Sequence, residues 1–416
     1  GERVRHGQFE AFDAHVRTLT ALETNPRLVG TLTAASQGPL VVDTHASFRQ
    51  TYTVGEAMLA PGGGLVVPNH FLFAFAELQT ADPKADNYVS ANTSRPGVEL
   101  AAETYPVSGM FSTQLGVSFA QRLFFRIVRG ELRRGDTFTV TYGDRSGGSR
   151  GLLLAQFSNS AVRFPIWVLT GERGLLLVPR EADLPLVGGA AVGVHGFVPS
   201  IVGLGEAFDL SVRTEDLYRN RASGGAPAYR LMLDGGTVRE IAASDDAITL
   251  VKGLRLTRPG VHRFTLVSAD GKITGKANPV LAEADPLERV YWGETHGHCG
   301  FSEGMGKVDD YYAFARDEAR LDFTCLSEHD IWLDAWEWAE MRRSSLRFDR
   351  PGAFVTFLGY EWTVQVAYGG HHNVIFRGLG DAQPVTSQRA PTLPDLYLSL
   401  IHISEPTRLR RISYAV

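Results

Sequence analysis

His296 and His298 stand two residues apart in the run Glu294-Thr295-His296-Gly297-His298, and Glu303 follows five residues after the second histidine. Side chains on extended chain alternate, so a His-x-His pair at a strand end turns both imidazoles toward one point. Imidazoles and a carboxylate that converge in this way bind a metal ion. Further candidates come in order: His329 in Ser327-Glu328-His329-Asp330, Glu361 in Tyr360-Glu361-Trp362, and His371 in Gly370-His371-His372-Asn373. A mixed set of imidazole and carboxylate ligands suits zinc, manganese or iron, whereas calcium prefers a cage of oxygens. A single histidine at a strand end is as often an ordinary satisfied polar residue. Six candidates in sequence favour the metal reading.

The elements that must position them are short apolar runs that stop in these polar residues. Residues 321–326 and 353–360 are β-prone runs, and Asn373-Val374-Ile375-Phe376 is a third. Between them, residues 308–319 place Tyr311, Phe314, Ala315 and Ala319 on one helical face, and a second helical pattern spans 333–343. Strand, helix, strand, helix, strand predicts a parallel sheet, with the ligands gathered on the rim formed by the strands' carboxyl ends. Trp332, Trp336 and Trp338 read as packing on the second helix. Cys299 and Cys325, the only cysteines, leave a disulfide open but are expected as buried thiols.

His-Gly-His followed by Ser302-Glu303-Gly304 resembles the first motif of the PHP (polymerase and histidinol phosphatase) superfamily, and Ser327-Glu328-His329-Asp330 resembles its second. Residues 357–362 and 370–376 are similar to a bacterial branch of PHP-related proteins that carry β-rich regions ahead of the metal domain. The likeness covers roughly residues 288–377. It implies His296, His298, Glu303, His329, Glu361 and His371 as ligands of two or three divalent ions, with Glu361 as the bridge and Glu361 and His329 as the catalytic pair. Glu294, Glu328 and Asp330 are expected to orient the imidazoles, His372 to stay outside the ligand set, and Trp362 and Asn373 to line the substrate pocket. The implied activity is a metal-dependent hydrolase, favoured as a phosphoesterase acting on a small phosphorylated ester through metal-activated water. Two rivals stand beside it: a mononuclear amidohydrolase-like enzyme, and a β-sandwich binding protein with a degenerate metal domain.

Upstream, residues 45–188 read as β-rich, with Phe138, Val140 and Tyr142 alternating on one face. Residues 189–285 hold several short strands, among them 208–212, 229–233, 247–251 and 261–267, which suggests an immunoglobulin-like sandwich. Residues 1–44 form an N-terminal segment, and residues 288–397 the metal domain. The expected fold is therefore multidomain, with two β-sandwich-like modules followed by the N-terminal half of a distorted (β/α) PHP-type barrel. Residues 398–416 resemble a translated sequencing adaptor, which would leave the barrel truncated and the chain poorly active. A formal net charge of −5 marks no nucleic-acid binder, and no apolar run is long enough to span a membrane. Modules placed ahead of a metal domain suit a protein outside the cytoplasm, periplasmic or secreted.

Overall fold

A computed structural model describes residues 26–70, 77–106, 113–114, 117–162, 164, 166–172, 176–177, 179, 184–302, 304, 306–380 and 382–404. Glu303 and residues 405–416 lie outside the described residues. Among those described, apolar side chains collect in three separate cores, running from Val29 to Leu186, from Val194 to Ala282, and from Cys299 to Leu396.

The first core is enclosed by antiparallel sheets. One has the strand order Thr31–Ser36, Phe48–Thr53, Thr137–Tyr142, Val89–Thr93. Phe138, Val140 and Tyr142 are all fully buried, as their period-two spacing predicts, and Tyr142 stacks on Phe48 with ring centroids 4.5 Å apart. A second sheet is built around the long strand Val117–Arg129, which pairs with Gly64–His70 on one side and Glu99–Pro106 on the other. Strands Thr31–Ser36 and Leu40–Val41 pair within this unit. It therefore begins before residue 45, and no separate segment precedes it among the described residues.

The second core is shared by a seven-stranded sheet and a three-stranded sheet. Strands Phe208–Glu215, Tyr229–Leu233, Ile248–Leu254 and Phe264–Ser268 fall on the alternating runs of the sequence. Alternate residues such as Leu210 and Val212, or Phe264 and Leu266, point into the core.

The third unit departs from the expected half barrel. Its sheet has four strands in the order Gly293–Glu294, Phe323–Leu326, Val355–Thr363, His371–Ile375. The first three are parallel and the last is antiparallel. The connections over 295–322 and 327–354 carry helices Val308–Ala313 and Ala335–Phe348. Residues 364–370 are too few for a crossover, which needs about a dozen residues or more. The chain instead turns back through Gly369 (φ 134°) and Gly370 (φ 81°), positive angles that glycine adopts without steric cost. The result is an open mixed sheet in a molecule dominated by β-structure, with no barrel among the described residues.

Helix Ala335–Phe348 starts in a capping box, with Asp334 accepting from the Glu337 amide at 2.7 Å and Glu337 accepting from the Asp334 amide at 2.9 Å. Trp338 from this helix is buried, and its indole donates to the Ala382 carbonyl at 2.9 Å. The segment read as one helix over 308–319 is α-helical to Ala313 and then widens into a π turn, Phe314–Glu318. Helix Leu393–Ser404 takes in the first residues of the segment resembling an adaptor. No helix of the described residues is long and apolar enough to cross a membrane.

Candidate metal centre

Glu361 is the hub of the site. In strand Val355–Thr363 the odd-numbered residues 361 and 363 share a face with Asn373 and His371 of the next strand, because Glu361 pairs with Asn373 and Thr363 with His371. The opposite face carries Leu358, Tyr360, Trp362 and Val374 into the third core. The parallel neighbour continues past Leu326 in the same register, so that His329 bridges to Glu361. The antiparallel return places His371, at the start of its strand, on the rim where the parallel strands end. The ligands thus converge without a barrel.

His296 and His298 lie just beyond strand Gly293–Glu294, in extended chain tied to the neighbouring strand by the Ser327 amide donating to the Gly297 carbonyl at 2.9 Å. Gly297 between them is required by space. A Cβ there would come within 2.7 Å of the Tyr311 ring, and that ring is pinned by its hydroxyl donating to the Cys325 carbonyl at 3.1 Å. Gly304 is similarly confined, since a Cβ would lie 2.1 Å from the His298 carbonyl oxygen.

Two triads share the Glu361 carboxylate: His296, His298 and Glu361, and His329, Glu361 and His371. In each, one donor atom per residue lies within 4.8 Å of the others. Glu361 Oε2 has His329 Nδ1 at 3.2 Å, His298 Nε2 at 3.3 Å and His296 Nε2 at 4.0 Å, while His371 Nδ1 is 2.8 Å from Oε1. Glu361 is only 4% exposed, and its Oε2 makes no hydrogen bond among the described residues. A buried carboxylate oxygen ringed by imidazole nitrogens fits a cation.

The surrounding hydrogen bonds assign tautomers. Asn373 donates through Nδ2 to the Thr295 carbonyl (3.1 Å), so its Oδ1 accepts from His296 Nδ1 at 3.0 Å. Ser302 donates its proton to Glu328 and accepts from His298 Nδ1 at 3.2 Å. Thr363 donates to the Glu361 carbonyl (3.1 Å) and accepts from His329 Nδ1 at 2.7 Å. In its neutral form each ring therefore carries its proton on Nδ1 and its lone pair on Nε2, the form in which imidazole binds a metal.

Electrostatics follow the same geometry. Burial opposes charge on His298, but its contacts with Glu328 and Glu361 outweigh that and raise its pKa to about 9. Burial alone would raise Glu361. The close approach of His298 and the positive charge of His329, His296 and His298 overcome it and hold the carboxyl below its ordinary value.

The residues expected around the ligands divide. Glu328 is fully buried, 3.7 Å from His298 Nδ1, and also receives the Cys299 amide. Glu294 and Asp330 do not orient imidazoles. Glu294 accepts from the His296 backbone amide at 2.8 Å, and Asp330 accepts the amides of Thr363 (2.6 Å) and Ser387. Burial raises the Asp330 pKa to about 6. Trp362 is not a pocket residue: it is fully buried on the core face, where its indole donates to the Ala390 carbonyl at 3.0 Å. His372 packs near it on that same face, with ring centroids 6.0 Å apart. Cys299 and Cys325 are buried thiols that form no disulfide with each other, and burial pushes Cys325 up to about 12. Ser302 and Thr363 were not anticipated. Thr363 could have been found from its place two residues after Glu361 on one strand face, whereas Ser302 sits in a loop whose path no local pattern gives.

Residues 313–415 match the family described as a protein of unknown function (DUF3604). That match covers about a quarter of the chain. It is to DUF3604 and not to the PHP superfamily, so the superfamily expectation is corrected, and the PHP-type phosphoesterase assignment falls with it. An uncharacterized protein of Chlamydia trachomatis serovar D is 22% identical over 214 residues, covering 48% of this chain and 34% of the relative. One of Chlamydia pneumoniae is 21% identical over 260 residues, covering 59% and 41%. The chain thus spans well under half the length of these curated relatives. Among solved structures, the D00-D0 domain of intimin matches at 9% identity with a TM-score of 0.24, covering 61% of this chain and 99% of that one. Yersinia pseudotuberculosis InvD matches at 13% identity with a TM-score of 0.25, covering 63% and 58%. Likeness at those scores is too slight to assign a function.

Proposed function

We propose that the third unit holds two divalent transition-metal ions on the paired triads that share Glu361, and that the chain is a metal-dependent enzyme acting through water. The observation that supports this most is the buried Glu361 Oε2, which makes no hydrogen bond among the described residues and has Nε2 of His298 at 3.3 Å and Nε2 of His296 at 4.0 Å. Zinc, manganese and iron are the ions that such a donor set suits. A divalent ion supplies Lewis acidity that makes water a nucleophile near neutral pH. This chain's own residues do the rest: Glu361 spans both triads, Asn373, Ser302 and Thr363 hold three rings in the ligating tautomer, and Glu328 fixes the loop beside His298. Glu303 follows this loop, outside the described residues, and completes no triad in this proposal.

Metal content per chain, measured by mass spectrometry after purification in zinc- and manganese-supplemented medium, tests the reading. Two equivalents are expected, with the His296→Ala/His298→Ala variant losing one, His371→Ala losing the other, and Glu361→Gln losing both. A folded wild-type chain that takes up no ion from any of these metals would overturn it.

A further inference from the structure

A cleft of about 1330 Å³ opens between all three units and reaches the metal centre at His298. The first unit contributes Phe157 and Leu186, the second Arg221, and the third Asp310, Phe314 and Glu318 beside His298. The walls supplied by the first unit are largely apolar. The third unit's wall is acidic and is formed by the short helix Val308–Ala313 and its π turn. Interruptions of this kind in helices often mark functional sites. Among the described lining residues, Arg221 is engaged by Asp246, Nη2 to Oδ1 2.7 Å, and His298 is turned to Glu328 and Glu361. Asp310 Oδ2 is buried and makes no hydrogen bond among the described residues. Glu318 lines the same cleft, and burial raises its pKa, the charges of Arg221 and Arg213 only partly opposing that. Asp310 is half-buried on this wall, and a carboxylate with an unmet oxygen beside apolar walls favours a ligand of opposite charge.

We infer that this cleft is the substrate channel of the metal centre and that it takes a ligand with an apolar body and a cationic head, an amine or guanidinium that pairs with Asp310. Its role as a channel rests on the metal-centre reading, whereas its charge preference does not. The arrangement also gives the β-rich units a task, since the first unit supplies most of the cleft's apolar wall, Phe157 and Leu186 included.

Three probes of one shape separate these claims: 4-phenylbutylamine, 4-phenylbutanol and 4-phenylbutyrate, titrated calorimetrically into the full chain. The amine is expected to bind at least about tenfold more tightly than the alcohol, as a charge-assisted hydrogen bond allows, and the carboxylate not at all. Asp310→Asn should erase the difference between amine and alcohol, while His296→Ala/His298→Ala should keep it. Equal affinity for all three probes, or an unchanged preference in Asp310→Asn, overturns the cationic-head assignment. The channel role is read from the visible bands of the cobalt(II)-loaded chain, which should shift when the amine binds, because His298 lines the cleft. Bands that stay fixed while the amine is bound overturn the channel but leave the metal centre standing. A chain that binds no cobalt and still prefers the amine overturns the metal centre alone.

Discussion

Thr363 lies on the same strand face as Glu361, and its hydroxyl proton goes to the Glu361 carbonyl, so the oxygen must accept from His329 Nδ1. Replacing it by valine keeps the volume and removes the acceptor at 2.7 Å, leaving His329 Nδ1 only the longer approach to Glu361 Oε2 at 3.2 Å, at a cost of about 1 kcal/mol. Partners of this kind set the affinity of the ligands they hold, typically by about 10–100-fold when lost. Thr363→Val is therefore expected to weaken zinc binding by that factor in competition with a chromophoric chelator, and Thr363→Ser to restore it. Unchanged affinity in the valine variant would remove His329 from the ligand set. The candidate ligands that the structure brings together were legible in the sequence because each is a histidine or glutamate at the edge of an apolar run. Their helpers were less so. Serine and threonine are common, and only the fold shows which hydroxyl has its own proton committed elsewhere. Trp362 was misplaced for a related reason: adjacency to Glu361 in sequence means the opposite face in a strand.

At the level of elements, the reversal at residues 364–370 decides the shape of the site. It swings His371 back beside Glu361, and it rests on Gly369 and Gly370. A Cβ on Gly369 would lie 2.9 Å from Leu393 Cβ and 3.3 Å from the Trp362 ring, on top of a positive φ, whereas a Cβ on Gly370 meets open space. Gly370→Ala should cost about 1 kcal/mol from backbone strain alone. Gly369→Ala adds overpacking and should cost about 2–4 kcal/mol. In urea unfolding Gly369→Ala should fall well below Gly370→Ala, and its metal content should drop from two equivalents to one, the ion held through His371 leaving first. Equal stabilities would show that the turn is free to shift. The sequence displayed this glycine pair, but a repeating strand–helix alternation suggested another parallel crossover. Counting the residues between the two apolar runs is the physical test that separates the cases, because a short link cannot hold a helix.

Across the whole molecule, the three cores were visible as changes in strand spacing and helical periodicity, but the contacts that join them were not. Arg213, in the middle unit, binds Glu215 at 2.6 Å and also donates to the Glu318 carbonyl at 2.6 Å, a partner 105 residues away. No local pattern encodes such a link. It ties the end of the π turn, and with it one wall of the cleft, to the seven-stranded sheet. Glu215 is 2% exposed, and besides Arg213 it has His195 at 2.6 Å. Arg213→Met would keep the apolar stem, strip the buried carboxylate of its main counter-charge, and release Glu318. Removing one partner of a buried pair costs about 3 kcal/mol, and His195 offsets part of that here. Calorimetric unfolding should then separate the third unit from the second as a distinct transition. Proteolysis should open first within residues 308–318. Because Asp310 itself is untouched, amine binding in the cleft should weaken only as far as the wall has loosened, and low temperature should recover it. An Arg213→Met chain that still unfolds in one step with full amine affinity would mean that the cleft is held by the third unit alone, and that the β-rich units contribute its apolar wall without fixing its position.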